Sequence, residues 1–165
     1  MKNFTWVSKL TMSALFMALY IVVMLFTQSF AFGQYQIRIA TALYGLSAIF
    51  PFLIIPLALA NMLSNIIIGG LGPFDIIGGG IVGLLTTGVI VFAKMRGCGD
   101  WCVFLAVTFI PGLLVPVWLA LLLEPPYLLL VSTLIIGQAV SGAAGMLLVN
   151  MLEHSSGFKI YAERK

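Results

Sequence analysis

Five long stretches of the sequence contain no charged residue. They cover residues 10–37, 39–74, 76–93, 101–123 and 125–152. A helix that crosses a bilayer needs about 20 predominantly apolar residues, and each stretch is close to or beyond that length. Hydrophobic residues make up 62% of the chain and charged residues 8%, whereas about 25% of an average soluble domain is charged. The sequence therefore predicts an all-α integral membrane protein and excludes an ordinary soluble domain.

The second stretch is ambiguous, because it is too long for one helix and slightly short for two full ones. Pro51 and Pro56 favour two helices, since proline removes a helical hydrogen bond and disfavours helical geometry in the residue before it. We interpret residues 50–52 as a tight reversal between two short helices. The predicted spans are 10–29, 38–50, 52–70, 74–93, 101–123 and 126–152.

The basic residues support six spans. Loops on the cytoplasmic side of a membrane are enriched in Lys and Arg. With six spans, seven of the eight basic residues share one side, and only Arg38 lies on the other. Five spans would instead place Lys94 and Arg96 outside. The sequence therefore predicts a single six-transmembrane-helix bundle over residues 1–165, embedded in the lipid bilayer with both termini in the cytoplasm.

Several other functions are not expected from this composition. The basic residues occur singly or in pairs over three segments, which argues against a nucleic-acid partner. The chain is not expected to be an enzyme, because no catalytic set can be assembled and the glycines around Gly78 lack the Lys-Ser/Thr ending of a phosphate-binding loop. Cys98, Cys102 and the single histidine His154 are too few for a conventional metal site, so neither metal nor cofactor is expected. A transporter with this sequence would draw its energy from a gradient or a partner.

Polar side chains inside the predicted spans are the candidate binding residues, because burying them costs free energy unless they are paired or bind a ligand. Arg38 and Asp75 lie at the same extracytoplasmic end of the predicted bundle, which favours a shared site. Alternatively, Arg38 reaches lipid headgroups and the charge of Asp75 suits a helix start. Asn61, Gln138 and the outer-loop residue Tyr35 complete the predicted substrate-binding set.

Three further polar residues, Tyr44, Ser47 and Asn65, are interpreted as structural. Hydrogen bonds between membrane helices typically contribute only about 1 kcal/mol or less, and such bonds are common at helix contacts. Trp118, in the fifth predicted span, fits an aromatic wall of a site.

Small residues repeat at four-residue spacing, which allows membrane helices to pack closely. The three places are Ala14-x-x-x-Ala18, Gly79-x-x-x-Gly83, and the series Gly137, Ser141 and Gly145. Each such pattern is more often an internal packing seam than a docking surface for a partner. The first helix is the best docking candidate, because its alanine pair lies in the predicted cytoplasmic half.

Four segments carry a resemblance to a known family: Ala14-x-x-x-Ala18, QIRIATAL at 36–43, LANML at 59–63 and GPFDIIG at 72–78. They resemble the queuosine-precursor (QueT) group, which belongs to the substrate-binding S components of energy-coupling factor (ECF) vitamin transporters. The resemblance is strongest over residues 13–87. It implies a six-helix bundle of the ECF S-component type in the plasma membrane of a prokaryote.

The resemblance also implies a mechanism. An S component captures a vitamin-like micronutrient, here a queuosine precursor of the 7-deazapurine class, in an outward-facing pocket. It then topples against a transmembrane coupling subunit (EcfT-like) that two ATPase subunits drive. By this analogy Ala14 and Ala18 contact the coupling subunit, while Arg38, Asn61 and Asp75 lie near the substrate.

The chain departs from the family pattern at two positions. The family usually has Arg-Ile-x-Glu-Ala-Leu, but Thr41 stands in place of the glutamate, and Gln138 stands where another acidic residue is expected. A cationic aminomethyl-deazaguanine would lose charge partners at such a site, since ion pairing in a dry pocket selects strongly. A neutral deazapurine or another vitamin-like heterocycle fits this sequence better.

Two other classes of function stay open. A stand-alone secondary carrier or facilitator would use Asp75 as its ion or proton site and would need no partner subunits. A structural membrane subunit would use the small-residue seams for assembly and would bind no small molecule.

Overall fold

The computed structural model describes residues 5–31, 37–68 and 72–154, and these ranges are almost entirely helical with no strand. The α-helices are α1 (Trp6–Phe26), α2 (Gln28–Ala31), α3 (Ile54–Ile68), α4 (Pro73–Met95), α5 (Trp101–Leu123) and α6 (Tyr127–His154). A 3₁₀ helix at Ile39–Ala48 and a 3₁₀ turn at Pro51–Leu53 lie between α2 and α3. The predicted all-helical fold class is confirmed.

Five stretches within the described ranges are long and apolar enough to cross a membrane. They are α1, Pro51–Ile68, α4, Trp101–Leu122 and α6. The predicted fifth span, 101–123, matches α5, and the other predicted ends differ by up to four residues. Pro111 and Pro116 lie inside α5 without ending it.

The predicted second span, 38–50, differs in kind from the prediction. It forms a 3₁₀ helix of 10 residues, here called the central 3₁₀ helix, and is not a spanning α-helix. A 3₁₀ helix rises about 2.0 Å per residue, so this one extends about 20 Å. The hydrocarbon core of a bilayer is about 30 Å thick, and the central 3₁₀ helix is too short to cross it alone. The described residues thus form five helices of spanning length and one shorter apolar helix.

The central 3₁₀ helix lies among the other helices and buries seven of its ten residues. Its backbone approaches α6 closely at a pair of glycines. A Cβ atom on Gly145 would lie 2.8 Å from the carbonyl oxygen of Ala42, and one on Gly45 would lie 3.0 Å from the carbonyl oxygen of Gly145. The predicted small-residue pattern in the last helix is therefore an internal packing seam.

Consecutive long elements run in opposite directions. The ring of Phe16 lies beside that of Phe50, and Tyr20 stacks on Tyr44, so α1 and the central 3₁₀ helix are antiparallel. The chain then folds back after Pro51, because Tyr44 is hydrogen-bonded to Asn61 in α3. The break predicted from the prolines is thus present.

A cluster of ion pairs and hydrogen bonds connects the loop between α4 and α5 to the C-terminal end of α6. Lys94 contacts Asp100 Oδ1 at 2.5 Å and Glu153 Oε1 at 3.0 Å, and Asn150 donates to Asp100 Oδ2 at 3.1 Å. Partial burial raises the pKa of the Asp100 carboxyl, but the hydrogen bonds from Lys94 and Asn150 outweigh it and lower that pKa overall. Gly97, with φ of 82°, closes α4 by a left-handed cap.

The contact between Gly45 and Gly145 predicts that alanine changes the stability of the protein in opposite directions at two glycines. Gly145→Ala should destabilise the protein by about 1–3 kcal/mol, because its Cβ atom would collide with the backbone of the central 3₁₀ helix. Gly88→Ala is the matched control, since a Cβ atom there meets nothing within 4 Å and alanine favours a helix over glycine by about 1 kcal/mol. Unfolding in detergent measures both. Equal effects of the two substitutions would contradict the packing described.

Candidate functional site

Arg38 and Asp75 lie together at one end of the bundle, as the shared-site hypothesis requires. Both residues are buried, and Arg38 Nη2 lies 3.8 Å from Asp75 Oδ2. The backbone oxygen of Arg38 accepts hydrogen bonds from Thr41 Oγ1 at 2.7 Å and Ser141 Oγ at 2.9 Å. The bond from Ser141 attaches the start of the central 3₁₀ helix to α6. Arg38 therefore lies inside the protein and does not reach out to lipid headgroups.

Asp75 lies in the first turn of α4, where a negative charge is favourable to the helix dipole. Its Oδ1 accepts from Trp118 Nε1 at 3.3 Å, and its backbone oxygen accepts from Asn65 Nδ2 at 2.9 Å. The indole of Trp118 lies across Gly78, where a Cβ atom would be 2.9 Å from the ring. Helices α3, α4 and α5 thus all position this carboxylate.

Asn61 joins three elements. Its Nδ2 donates to the hydroxyl of Tyr44 at 2.8 Å and to the backbone oxygen of Gly79 at 2.9 Å. The hydroxyl of Tyr44 lies 3.5 Å from that of Tyr20 in α1. Position 79 has little room for a side chain, because a Cβ atom there would lie 2.7 Å from Asn65 Nδ2 and 3.3 Å from the side-chain amide of Asn61. The absence of a side chain at Gly79 in α4 therefore leaves space for the side chains of Asn61 and Asn65.

Gln138 is buried in the first half of α6 and faces the central 3₁₀ helix. Its Oε1 lies 3.1 Å from Thr41 Oγ1, whose single proton is shared with the closer backbone oxygen of Arg38. The two positions that depart from the family pattern, Thr41 and Gln138, therefore contact each other.

One buried cavity brings these residues together. Its walls are formed by Arg38, Thr41, Tyr44, Asn61, Gly79, Val82, Pro111, Val115 and Gln138. It has room for about one water molecule. Three of the five predicted binding residues line it, and Asp75 contacts Arg38 outside the lining. Tyr35 lies outside the described residues.

Tyr44 and Thr41 line the cavity although neither was predicted as a binding residue. The signal that identifies them is a spacing of three. In a 3₁₀ helix, side chains three residues apart align on one face, so Arg38, Thr41 and Tyr44 all point towards the same wall. In an α-helix the same three residues would lie over an arc of about 120°, so their alignment on one face would be looser.

Ala14 and Ala18, the predicted docking residues, lie on the exposed side of α1. The opposite side of that helix carries the buried residues Tyr20 and Met24. By contrast, Gly79, Gly83 and the small residues of α6 are all buried in the bundle. Of the three small-residue patterns, the one in α1 alone faces outward.

A family model described as QueT transporter matches residues 10–154 of the chain. The chain belongs to the QueT transporter family. The match extends well beyond the segments at 13–87 that carry the resemblance and includes all of the cavity lining. Comparison with curated proteins and with solved structures finds no match. QueT membership and the spanning helices together make the protein a membrane transporter.

The hydrogen bond between Asn61 and Tyr44 leads to a prediction. Tyr44→Phe leaves a buried N–H of Asn61 without its acceptor, which should cost about 1–3 kcal/mol of stability. Tyr127→Phe is the matched control: its hydroxyl donates to the backbone oxygen of Leu113 at an exposed position, and its loss should cost less than about 1 kcal/mol. Chemical unfolding in detergent compares them. An equal loss in both variants would show that Tyr44 is not a required acceptor.

Proposed function

We propose that this QueT-family chain is the substrate-binding S component of an ECF transporter, and that it takes up a neutral 7-deazapurine or a similar vitamin-like heterocycle. The observation that carries the proposal is the convergence of Arg38, Asn61 and Gln138 on one buried cavity. A hydrogen-bonding cavity inside an apolar bundle is a costly arrangement unless a ligand uses it. The deazapurine itself rests on the family resemblance.

The size of the cavity implies that the described conformation is closed. A space for about one water molecule cannot hold a heterocycle, so binding requires the lining to move apart. The lining residues come from five elements. Helix α5 contributes Pro111 and Val115, and the proline weakens the backbone hydrogen bonding of that helix. We infer that ligand enters from the Arg38 end, where the proposed outer loops lie.

The exposed alanines of α1 support docking to a transmembrane coupling subunit that two ATPase subunits drive. In the most apolar stretch of α1, 11% of the residues are buried inside the protein, compared with 56% in the corresponding stretch of α5. Helix α1 is therefore peripheral. A helix surface that contacts only lipid can carry large apolar side chains. Small residues one turn apart instead allow another helix to approach closely. Ala14 and Ala18 provide that pattern on the free side of the helix.

The proposed topology is one membrane domain over residues 1–165 in a prokaryotic plasma membrane, with both termini in the cytoplasm. The positive-inside rule then places Lys94 and its cluster on the cytoplasmic side. Arg38 and Asp75 lie at the other end of α4 and its neighbours, so the cavity is nearer the outer face.

The docking assignment predicts a separation of binding from transport. Ala14→Trp should reduce uptake by about tenfold or more, because a bulky side chain keeps two helices apart, while ligand binding to the purified protein is retained. Val89→Trp is the control at an exposed position of α4. Uptake is measured in proteoliposomes with and without a coupling subunit and its two ATPases.

The same experiment tests the class of function. We expect no uptake by the chain alone and ATP-dependent uptake with the partners. Uptake by the chain alone, with a pH dependence that Asp75→Asn abolishes, would instead identify a stand-alone carrier. Unchanged uptake in Ala14→Trp would show that the docking surface lies elsewhere. Binding of no small molecule would favour a structural subunit.

The contact between Thr41 and Gln138 predicts a preference for uncharged ligand. Both residues are neutral, and Asp75 is held by Arg38 and Trp118. Calorimetric titration should show tighter binding of a neutral 7-deazaguanine than of its cationic aminomethyl derivative. Thr41→Glu should raise affinity for the cation by about tenfold or more, equivalent to about 1.4 kcal/mol, because a charged pair forms in a dry site. Thr41→Gln controls for size and should not. Tighter binding of the cation to the unmodified protein would refute the preference.

A further inference from the structure

We propose that the side-chain oxygen of Asn61 selects ligands that present an N–H group to α3, which makes Asn61 a specificity-determining residue of the cavity. The inference rests on the proposed function, in that the cavity is taken to be the ligand site. It goes further by naming the atom that recognises the ligand, Asn61 Oδ1, and by stating that this atom accepts a hydrogen bond that the ligand donates. The ligand class that follows is a planar, uncharged heterocycle with a donor on the edge facing α3.

The orientation of the Asn61 amide is determined by its neighbours. A side-chain amide has two N–H donors and one carbonyl oxygen. Both donors of Asn61 are used, one by the hydroxyl of Tyr44 and one by the backbone oxygen of Gly79. The Gly79 oxygen can only accept, so exchanging the amide nitrogen and oxygen would place two acceptors against each other. The nitrogen is therefore committed to the protein, and the oxygen is the atom left for another partner.

The oxygen of Asn61 has no hydrogen-bond partner within the described residues, although the side chain is 3% exposed. Buried carbonyl oxygens without partners are rare in native proteins, and each requires an explanation. Asn61 also lines the cavity, so its unpaired oxygen has a space beside it from which a partner can approach. A ligand N–H in that space satisfies the oxygen, whereas a ligand acceptor leaves it unpaired.

Asn65 provides a comparison within the same helix. It lies one turn after Asn61, is equally buried, donates through Nδ2 to the backbone oxygen of Asp75, and also has an unpaired Oδ1. Asn65 is not among the residues that line the cavity. The two asparagines thus match in residue type, helix and burial, and differ in access to the cavity.

The other walls complete the recognition pattern. Arg38 is a donor-only side chain, and it faces the same cavity from the central 3₁₀ helix. An acceptor on the ligand, such as a ring nitrogen or an exocyclic carbonyl, suits that wall, while the N–H suits α3. A heterocycle that carries a donor and an acceptor on different edges meets both requirements without a net charge.

The experiment compares 7-deazaguanine with analogues that each lack one N–H group, one of them without the exocyclic amino group. Dissociation constants are measured by titration for the unmodified protein, Asn61→Leu and Asn65→Leu. In the unmodified protein, loss of one particular N–H should weaken binding by about 10- to 100-fold, the range expected when a buried acceptor is left unpaired. That penalty should fall below about threefold in Asn61→Leu and persist in Asn65→Leu.

Asn61→Leu also removes the donors to Tyr44 and Gly79, so a second variant guards against loss of folding. Asn61→Gln retains a side-chain amide, with two N–H donors and one carbonyl oxygen, and should keep the preference for the N–H-bearing ligand. If no single N–H deletion weakens binding to the unmodified protein by more than about threefold, the proposal is overturned without any variant. It is also overturned if the penalty disappears in Asn65→Leu and remains in Asn61→Leu. If 7-deazaguanine fails to bind the unmodified protein, the deazapurine assignment fails together with this inference.

Discussion

The close backbone contact between the central 3₁₀ helix and α6 is the constraint on which the rest of the structure depends. At this contact Gly45 and Gly145 have no room for a side chain. Because the two backbones are so close, the small hydroxyl of Ser141 in α6 can reach the carbonyl of Arg38. The start of the central 3₁₀ helix is thus attached to α6, and the buried guanidinium is held facing the cavity. A larger residue at either glycine would separate the walls of the site.

Polar groups within an apolar bundle need partners, because neither lipid nor apolar side chains can provide them. Asp75 accepts a hydrogen bond from Trp118 through Oδ1 and forms an ion pair with Arg38 through Oδ2, and the amide nitrogen of Asn61 donates to Tyr44 and Gly79. These contacts come from different helices, so the polar groups also fix how the helices lie relative to one another. Among the described residues, Asn65 and Asp75 also have a buried side-chain oxygen without a hydrogen-bond partner, but the oxygen of Asn61 differs from these because Asn61 lines the cavity.

The sequence was sufficient to predict the long helices and to place Arg38 and Asp75 at the same end of the bundle, because apolar length and the cost of buried charge leave few alternatives. It was insufficient to predict the helix type of the central segment. Whether ten apolar residues form an α-helix or a 3₁₀ helix depends on the space between neighbouring helices, which no local pattern encodes. Tyr44 was interpreted as structural and Thr41 was not predicted to bind ligand, because the two residues align best with Arg38 when the helix has three residues per turn. The sequence also did not predict that Pro111 lines the cavity, because that depends on how α5 packs against its neighbours.

Helix α1 connects the cavity to the proposed docking surface. On its inner side, Tyr20 stacks on Tyr44 with ring centroids 5.8 Å apart, and Tyr44 lines the cavity. On its outer side, Ala14 and Ala18 are exposed. A ligand too large for the closed cavity must displace part of the lining, and any displacement of Tyr44 acts directly on α1 because interiors are closely packed. In an S component, this arrangement would let occupancy of the cavity alter the helix that meets the coupling subunit, with no ATP-binding motif needed in the chain itself.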